Sequence, residues 1–413
     1  VSLKPLQLKP STPPGCQTHL RTMSSKPLIT MRPRGKVIQT DVMRYCVAED
    51  GTQHLIKYDP QAIHGPKAVM WWQGWAVATK TVALAVVGSI AVAFLAFLCI
   101  ANPEDIDTSK ITAVVSYLNG MVTFMLGFYS STAIGRWWSM RNDTFGKTWG
   151  AIDELSLLCG AHFPGPECAD LRAIVIRYGL LSLHLAFKQN RGEPMDDLVG
   201  QGLLSEDERA ALNEEEVNGH AYASKPQVMW CWIAGIFRQL HAQGKLSSRM
   251  LPVFYQKCLD GRGGLGGLFT LTDCQLPFAY VHLLGFLVHL NNFAVACKCG
   301  VVIAVARHHM LKPTEENPVG QAFQDIVLQT FFLIFIPMIY TAFLDLGATL
   351  ADPLGKEFLD FPLEAYHKYI QEECETFAHA GGSLPACVDS LVSRVPQDKT
   401  CWDRVACTTM EDC

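Results

Sequence analysis

The sequence predicts an all-α polytopic membrane protein with four transmembrane helices per subunit and a cytosolic helical region between the second and third. Three observations predict it. Of the 413 residues 49% are hydrophobic, yet the mean hydropathy is only +0.15, so strongly apolar segments must alternate with polar ones. Four apolar stretches, about residues 75–101, 111–135, 276–306 and 326–351, are long enough to cross a hydrocarbon core of roughly 30 Å, which takes about 20 helical residues. Between the second and third, apolar residues recur at helical spacing among charged ones.

Residues 1–70 form a basic arm and pre-membrane segment. Lys4, Lys9, Arg21, Lys26, Arg32, Arg34 and Lys36 lie among Ser and Thr, with no acid before Asp41. An organelle transit peptide and a disordered cytosolic arm share this composition, and the apolar core of a secretory signal is lacking. The chain starts at Val1 and reads equally as a piece of something longer. The main domain is expected over residues 71–377.

The first span carries Lys80 near its start, close enough to the end to snorkel. The second, ITAVVSYLNGMVTFMLGFYSSTAIGRWW at residues 111–138, puts Gly120, Phe124 and Phe128 on one helical face. It ends in Arg136, Trp137 and Trp138, a cation with two interfacial indoles. Such a stripe suits either packing in a bundle or an apolar constriction beside a membrane boundary. Glu104, Asp105 and Asp107 precede this span, whereas Arg136, Arg141 and Lys147 follow it. The asymmetry puts both termini and the middle region on the cytoplasmic side.

Residues 136–275 hold soluble helices, expected at 149–159, 171–188, 206–217 and 228–243, with Ser205 and Glu208 forming a capping box. Gly261, Gly263, Gly264, Gly266 and Gly267 read as a flexible loop before the third span. No strand precedes that run and no GK[ST] ends it, which removes a phosphate-loop reading. The third span carries His282, His289, Asn291, Asn292 and Lys298, so one of its faces must meet protein or water. The asparagines are expected to hydrogen-bond between helices. The histidines read as hydrogen-bonded bundle residues, because no carboxylate or thiolate is spaced to complete a metal site with them. After the fourth span come an acidic segment and an amphipathic helix over residues 352–377, then a disordered tail over 378–413.

Fifteen Cys are scattered singly, which suggests reduced or membrane-buried thiols and no disulfide framework. Cys387, Cys401, Cys407 and Cys413 crowd the tail without CxxC spacing. A formal charge of −5 with no basic face interleaved with aromatics excludes a nucleic-acid partner. No nucleophile, base and orienting group stand at recognisable spacing, which argues against an enzyme.

Several motifs, taken in order, resemble the bestrophin family of anion channels, and its animal type most. They are FMLGFY at Phe124 with RWW at Arg136, IRYGLLSLHLAFK at Ile176, PMDDLVGQGLLSEDER at Pro194, VMWCW at Val228, AQGKL at Ala242, PFAYVH at Pro277 and DPLGKEFLDF at Asp352. The resemblance implies a homopentamer in the lipid bilayer that conducts chloride or bicarbonate through a central pore. It places the pore neck at Gly120, Phe124 and Phe128, with Gly120 standing where the family carries a bulky aliphatic residue. It places a cytosolic aperture at Met250. It also implies a calcium clasp after the fourth span, for which Asp352, Glu357 and Asp360 remain, while Lys356, Phe358 and Leu359 stand where acids are expected.

The plasma membrane is the expected compartment, with a plastid or endoplasmic reticulum membrane as the alternative. Two other functions stay open. One is a non-conducting membrane module, or the light-regulated channel part of a fusion with a rhodopsin domain. The other is a proton-coupled anion carrier using His282, His289 and Lys298.

Overall fold

The computed structural model describes residues 35–65, 76–103, 106–213, 224–313 and 319–394. Among them, four helices are long and apolar enough to cross a membrane: α1 (Lys80–Leu98), α2 (Thr108–Ser139), α9 (Phe278–Leu311) and α10 (Val319–Thr349). Local chemistry sets the starts of α1 and α2. Thr79 Oγ1 accepts from the Val82 amide at 3.2 Å, and Asp107 Oδ1 accepts from the Ser109 amide at 2.9 Å, each satisfying a donor that the first turn leaves open.

The helix α9 packs on α1, α2 and α10, with small residues at the contacts. At Gly300 a Cβ would strike the Ala93 carbonyl, so glycine lets two membrane helices meet backbone to backbone. Asn292 Nδ2 reaches Thr341 Oγ1 on α10 at 3.3 Å, as an interhelical bond. Asn291 departs from that expectation: it is fully buried, and its amide finds no partner among the described residues.

The second span does not stop at the membrane. Through a π-helical turn, Met140–Phe145, α2 continues into α3 (Gly146–His162), forming one rod from the bilayer into the polar region. Around α3 pack α4 (Ala169–Arg191), α8 (Leu251–Asp273) and α11 (Leu363–Ala380), with α7 (Lys225–Ala242) between α4 and α8. The short helices α5 (Asp196–Gly200) and α6 (Glu206–Asn213) link α4 to α7. Phe145, Phe187, Trp230, Phe237, Phe254 and Phe361 are buried at the centre of this layer. The capping box forms as expected: Ser205 N donates to Glu208 Oε2 at 2.9 Å, and Glu208 N donates to Ser205 Oγ at 3.1 Å. Glu208 also accepts both arms of Arg177, at 2.6 and 2.7 Å, and the Tyr178 hydroxyl at 2.8 Å.

Three sequence expectations need correction. The glycine-rich run is not a loop but the interior of α8. Its glycines are there for close approach: a Cβ at Gly261 would enter the Trp230 ring, and one at Gly264 would lie 2.7 Å from the Thr144 carbonyl oxygen. Part of the basic arm is a three-stranded antiparallel sheet, β1 (Lys36–Gln39), β2 (Met43–Val47) and β3 (Gln53–Tyr58). The tail holds a further helix, α12 (Ala386–Val392). The described cysteines, Cys387 included, are free thiols. Residues 1–34, Glu104, Asp105, residues 214–217 and the cysteines at 401, 407 and 413 lie outside the described residues.

Candidate functional site

The two faces of α2 differ sharply. Val115, Val122, Leu126, Tyr129 and Ala133 are buried against α9, α10 and their neighbours. At 3.6 residues per turn, Phe124 falls almost diametrically opposite the mean of that buried direction, with Gly120 and Phe128 about 40° to either side. Phe124 is 74% and Phe128 61% exposed, and a Cβ at Gly120 would meet nothing within 4 Å. The face singled out by spacing is therefore the face that the described residues of the subunit leave largely exposed. The Phe128 ring meets Tyr280 edge-on at 6.2 Å between centroids.

Where α2 leaves the membrane, its closing residues tie it to the polar layer. Arg136 Nη2 donates to the carbonyls of Leu271 at 2.6 Å and Cys274 at 2.9 Å, capping the end of α8. Trp137 packs on Phe361 at 5.4 Å between ring centroids, whereas Trp138 is exposed. Just beyond, Arg141 Nε donates to the Tyr366 hydroxyl at 3.0 Å. Met250 stands at the start of α8, half-buried against the edge of the polar core. It is far in sequence from α2, and no described contact joins it to the neck residues.

Residues 352–361 form a strap between α10 and α11. Helix α4 ends at Gly192, whose φ of 64° is the left-handed conformation that glycine adopts without strain. That ending aims Arg191 at the strap: Nε donates to the Leu354 carbonyl at 2.6 Å and Nη2 to the Gly355 carbonyl at 2.5 Å. Lys356 Nζ lies 2.7 Å from Glu193 Oε1 and 3.9 Å from Asp50 Oδ2 on the hairpin. The Leu55 amide of β3 donates to the Phe358 carbonyl at 2.7 Å. Asp50, His54, Lys188, Arg191, Glu193 and Lys356 line a cavity of about 190 Å³ at this junction.

The electrostatics follow from these contacts. Burial pushes the Asp360 carboxyl up to about 7, and the charges of Glu357 and Asp352 add to it. Burial opposes ionisation of Glu193 too, but hydrogen bonds from Lys356 and Lys188 hold it below the usual carboxylate range.

A calcium ion takes six to eight oxygen ligands at one point. Of the residues expected to supply them, Asp360 is buried and turns Oδ2 onto the Glu357 amide at 2.7 Å. Asp352 Oδ1 accepts from Asn190 at 2.8 Å and from the Leu354 amide at 3.3 Å. Glu357 is exposed. Two loop carbonyls are taken by Arg191, a lysine sits alongside, and among the described residues no three His, Cys, Asp or Glu side chains converge as a metal site. As arranged among the described residues of one subunit, this donor set does not converge in the way that calcium requires. Arg191, Asp50 and the hairpin escaped sequence reasoning; the Gly192 that ends α4 was the available signal for the first.

The fold defines an integral membrane protein whose second span turns an aromatic face away from its own subunit and continues into a helical polar layer. The sequence model of the family described as bestrophin, RFP-TM, chloride channel matches residues 75–368, and the chain belongs to the bestrophin family. It is similar to bestrophin homolog 14 of Caenorhabditis elegans, 22% identical over 67% of this chain and 65% of that protein. Human bestrophin-3 is 25% identical over 58% of this chain and 34% of its own length. The chain thus spans less than two thirds of these curated relatives. A voltage-dependent anion channel-forming protein of Ralstonia nicotianae is 24% identical over 54% of this chain and 74% of its own. Among solved structures, a bacterial bestrophin homolog from Klebsiella pneumoniae superposes with a TM-score of 0.57 at 19% identity, covering 74% of this chain and all of that one.

Proposed function

We propose that this chain forms an anion-selective channel, with copies of α2 arranged around a common axis so that Gly120, Phe124 and Phe128 line its neck. The observation that carries the reading is the uncovered aromatic face opposite the helix's own packing. A ring of subunits, five by the family resemblance, turns that direction inward. The neck then consists of two phenylalanine rings below an open glycine level. Apolar rings gate by dewetting and return little of the hydration that an ion gives up, so large, weakly hydrated anions pass more easily than small ones. Chloride and bicarbonate are the proposed physiological ions.

Arg191 and Lys356 hold the strap, and conduction is proposed to be independent of calcium. Membership of a channel family and an aromatic stripe left largely exposed by the described residues support this reading over the carrier and the inert module. Planar-bilayer recording from purified protein tests it. Anion current should appear, and Phe124→Ala with Phe128→Ala should raise conductance and flatten the selectivity series. Absence of current from correctly assembled protein, or an unchanged series in the double variant, would sink it.

A further inference from the structure

Tyr117 is the most exposed of the large apolar and aromatic side chains on α2, at 82%. It precedes Phe124 by two helical turns, about 10 Å along the axis and about 20° around it, closer in phase to Phe124 than Gly120 or Phe128 is. Val115, two residues before it, is buried on the opposite side, so this end of α2 is oriented like the neck. Between Tyr117 and Phe124 the stripe passes Gly120, where even a Cβ would meet open space, with the half-exposed Met121 on its other flank, about 60° from Phe124.

A phenol differs from a phenylalanine ring in one respect that matters to an ion: its O–H donates a hydrogen bond. Phenyl rings offer a dehydrating anion only the weak positive potential of their C–H edges, whereas converging hydroxyls replace some of its lost water. Depth along the helix supports the same role. Tyr117 stands about 13 Å from the Thr108 start of α2, deeper than the terminal positions where tyrosines anchor a span in the headgroup layer.

We propose that Tyr117 forms the outer ring of the pore, and that its hydroxyls and the Phe124 rings bound a chamber at Gly120 that holds one partly dehydrated monovalent anion. This assignment rests on the channel reading above. The chamber is the wide level that glycine creates between two narrow ones. Its hydroxyl rim faces the end capped by Asp107, and its apolar floor is the first phenylalanine ring.

Bilayer recording of wild type, Tyr117→Phe and Tyr117→Cys, each checked for wild-type assembly size, tests the proposal. In Tyr117→Phe, which deletes only the hydroxyl, the chloride concentration giving half-maximal conductance should rise about threefold or more. In Tyr117→Cys, a cationic methanethiosulfonate reagent added from the Asp107 side should suppress the current, with its effect on wild type subtracted. Unchanged saturation in Tyr117→Phe overturns the chamber, whether or not the thiol reacts. A Cys variant indifferent to the reagent overturns it as well and assigns Tyr117 to the lipid surface. Wild-type protein without current overturns the channel reading, and the chamber with it, and is told apart by the control trace alone.

Discussion

Arg191 Nε donates to the carbonyl oxygen of Leu354 at 2.6 Å, joining the last residue of α4 to the strap that follows the fourth span. The same guanidinium holds the next carbonyl, and Lys356 supplies a second positive charge against Glu193 and Asp50. Built-in cations therefore do the cross-linking here. Chelation with EGTA should leave both current and thermal unfolding of the assembled protein unchanged. Arg191→Ala should cost about 1.5–3 kcal/mol for each charge-assisted hydrogen bond lost and lower the melting temperature. A chelator-induced loss of current in wild type would contradict this account.

The glycines of α8 separate two effects that composition merges. A Cβ at Gly264 would come within 2.7 Å of the Thr144 carbonyl and 2.9 Å of the Thr148 amide, both main-chain atoms, whereas at Gly263 the nearest group is Lys147 Nζ at 3.7 Å. Gly264→Ala should destabilise by about 1–3 kcal/mol through overpacking. Gly263→Ala should stabilise by roughly 0.5–1 kcal/mol through helix propensity. Thermal unfolding of the two variants in one detergent decides it, and equal shifts would mean that packing against α3 does not govern this helix.

Those glycines also mark the limit of what the sequence discloses. The four spans, the Gly120, Phe124 and Phe128 stripe and the capping box at Ser205 are legible because each depends on local spacing alone. The α8 glycines mislead because their purpose is tertiary: the same residues that signal a flexible loop also let helices approach. The hairpin is short, and its partner is the strap, some three hundred residues away, so no local pattern announces the Leu55 to Phe358 bond. Arg191 is one basic residue among many until the left-handed Gly192 fixes its direction.

One buried and one half-buried carboxyl give the polar layer a defined pH response. Asp360 and Asp153 are each pushed up to about 7 by burial, and Glu373 adds to the effect at Asp153, where the Cys374 thiol at 3.1 Å partly offsets it. Their ordinary value is 3.8. Between about 4 and 7 the folded protein holds protons that the unfolded chain has released, so stability falls as pH rises through this window and levels off above it. Asp360→Asn and Asp153→Asn should each flatten part of that decline, and the double variant more. A melting temperature that rises from pH 5 to 7 in wild type, or a slope unaltered in both variants, would contradict the assignment.

Gly120 offers a test of the neck that folding does not confound. Its missing side chain points into open space within the subunit, so Gly120→Ile adds bulk without a clash and gains helix propensity over glycine. In the assembled ring the variant adds a third apolar level above Phe124. Each added level lengthens the stretch in which an anion stands without water, and every ~1.4 kcal/mol of extra barrier lowers the passage rate about tenfold. Conductance should therefore drop by about tenfold or more, while relative permeability shifts further toward weakly hydrated anions such as iodide over chloride. The same protein should melt at or above the wild-type temperature. Full conductance in a well-folded Gly120→Ile channel would move the constriction off this face of α2 and leave its exposed phenylalanines to lipid.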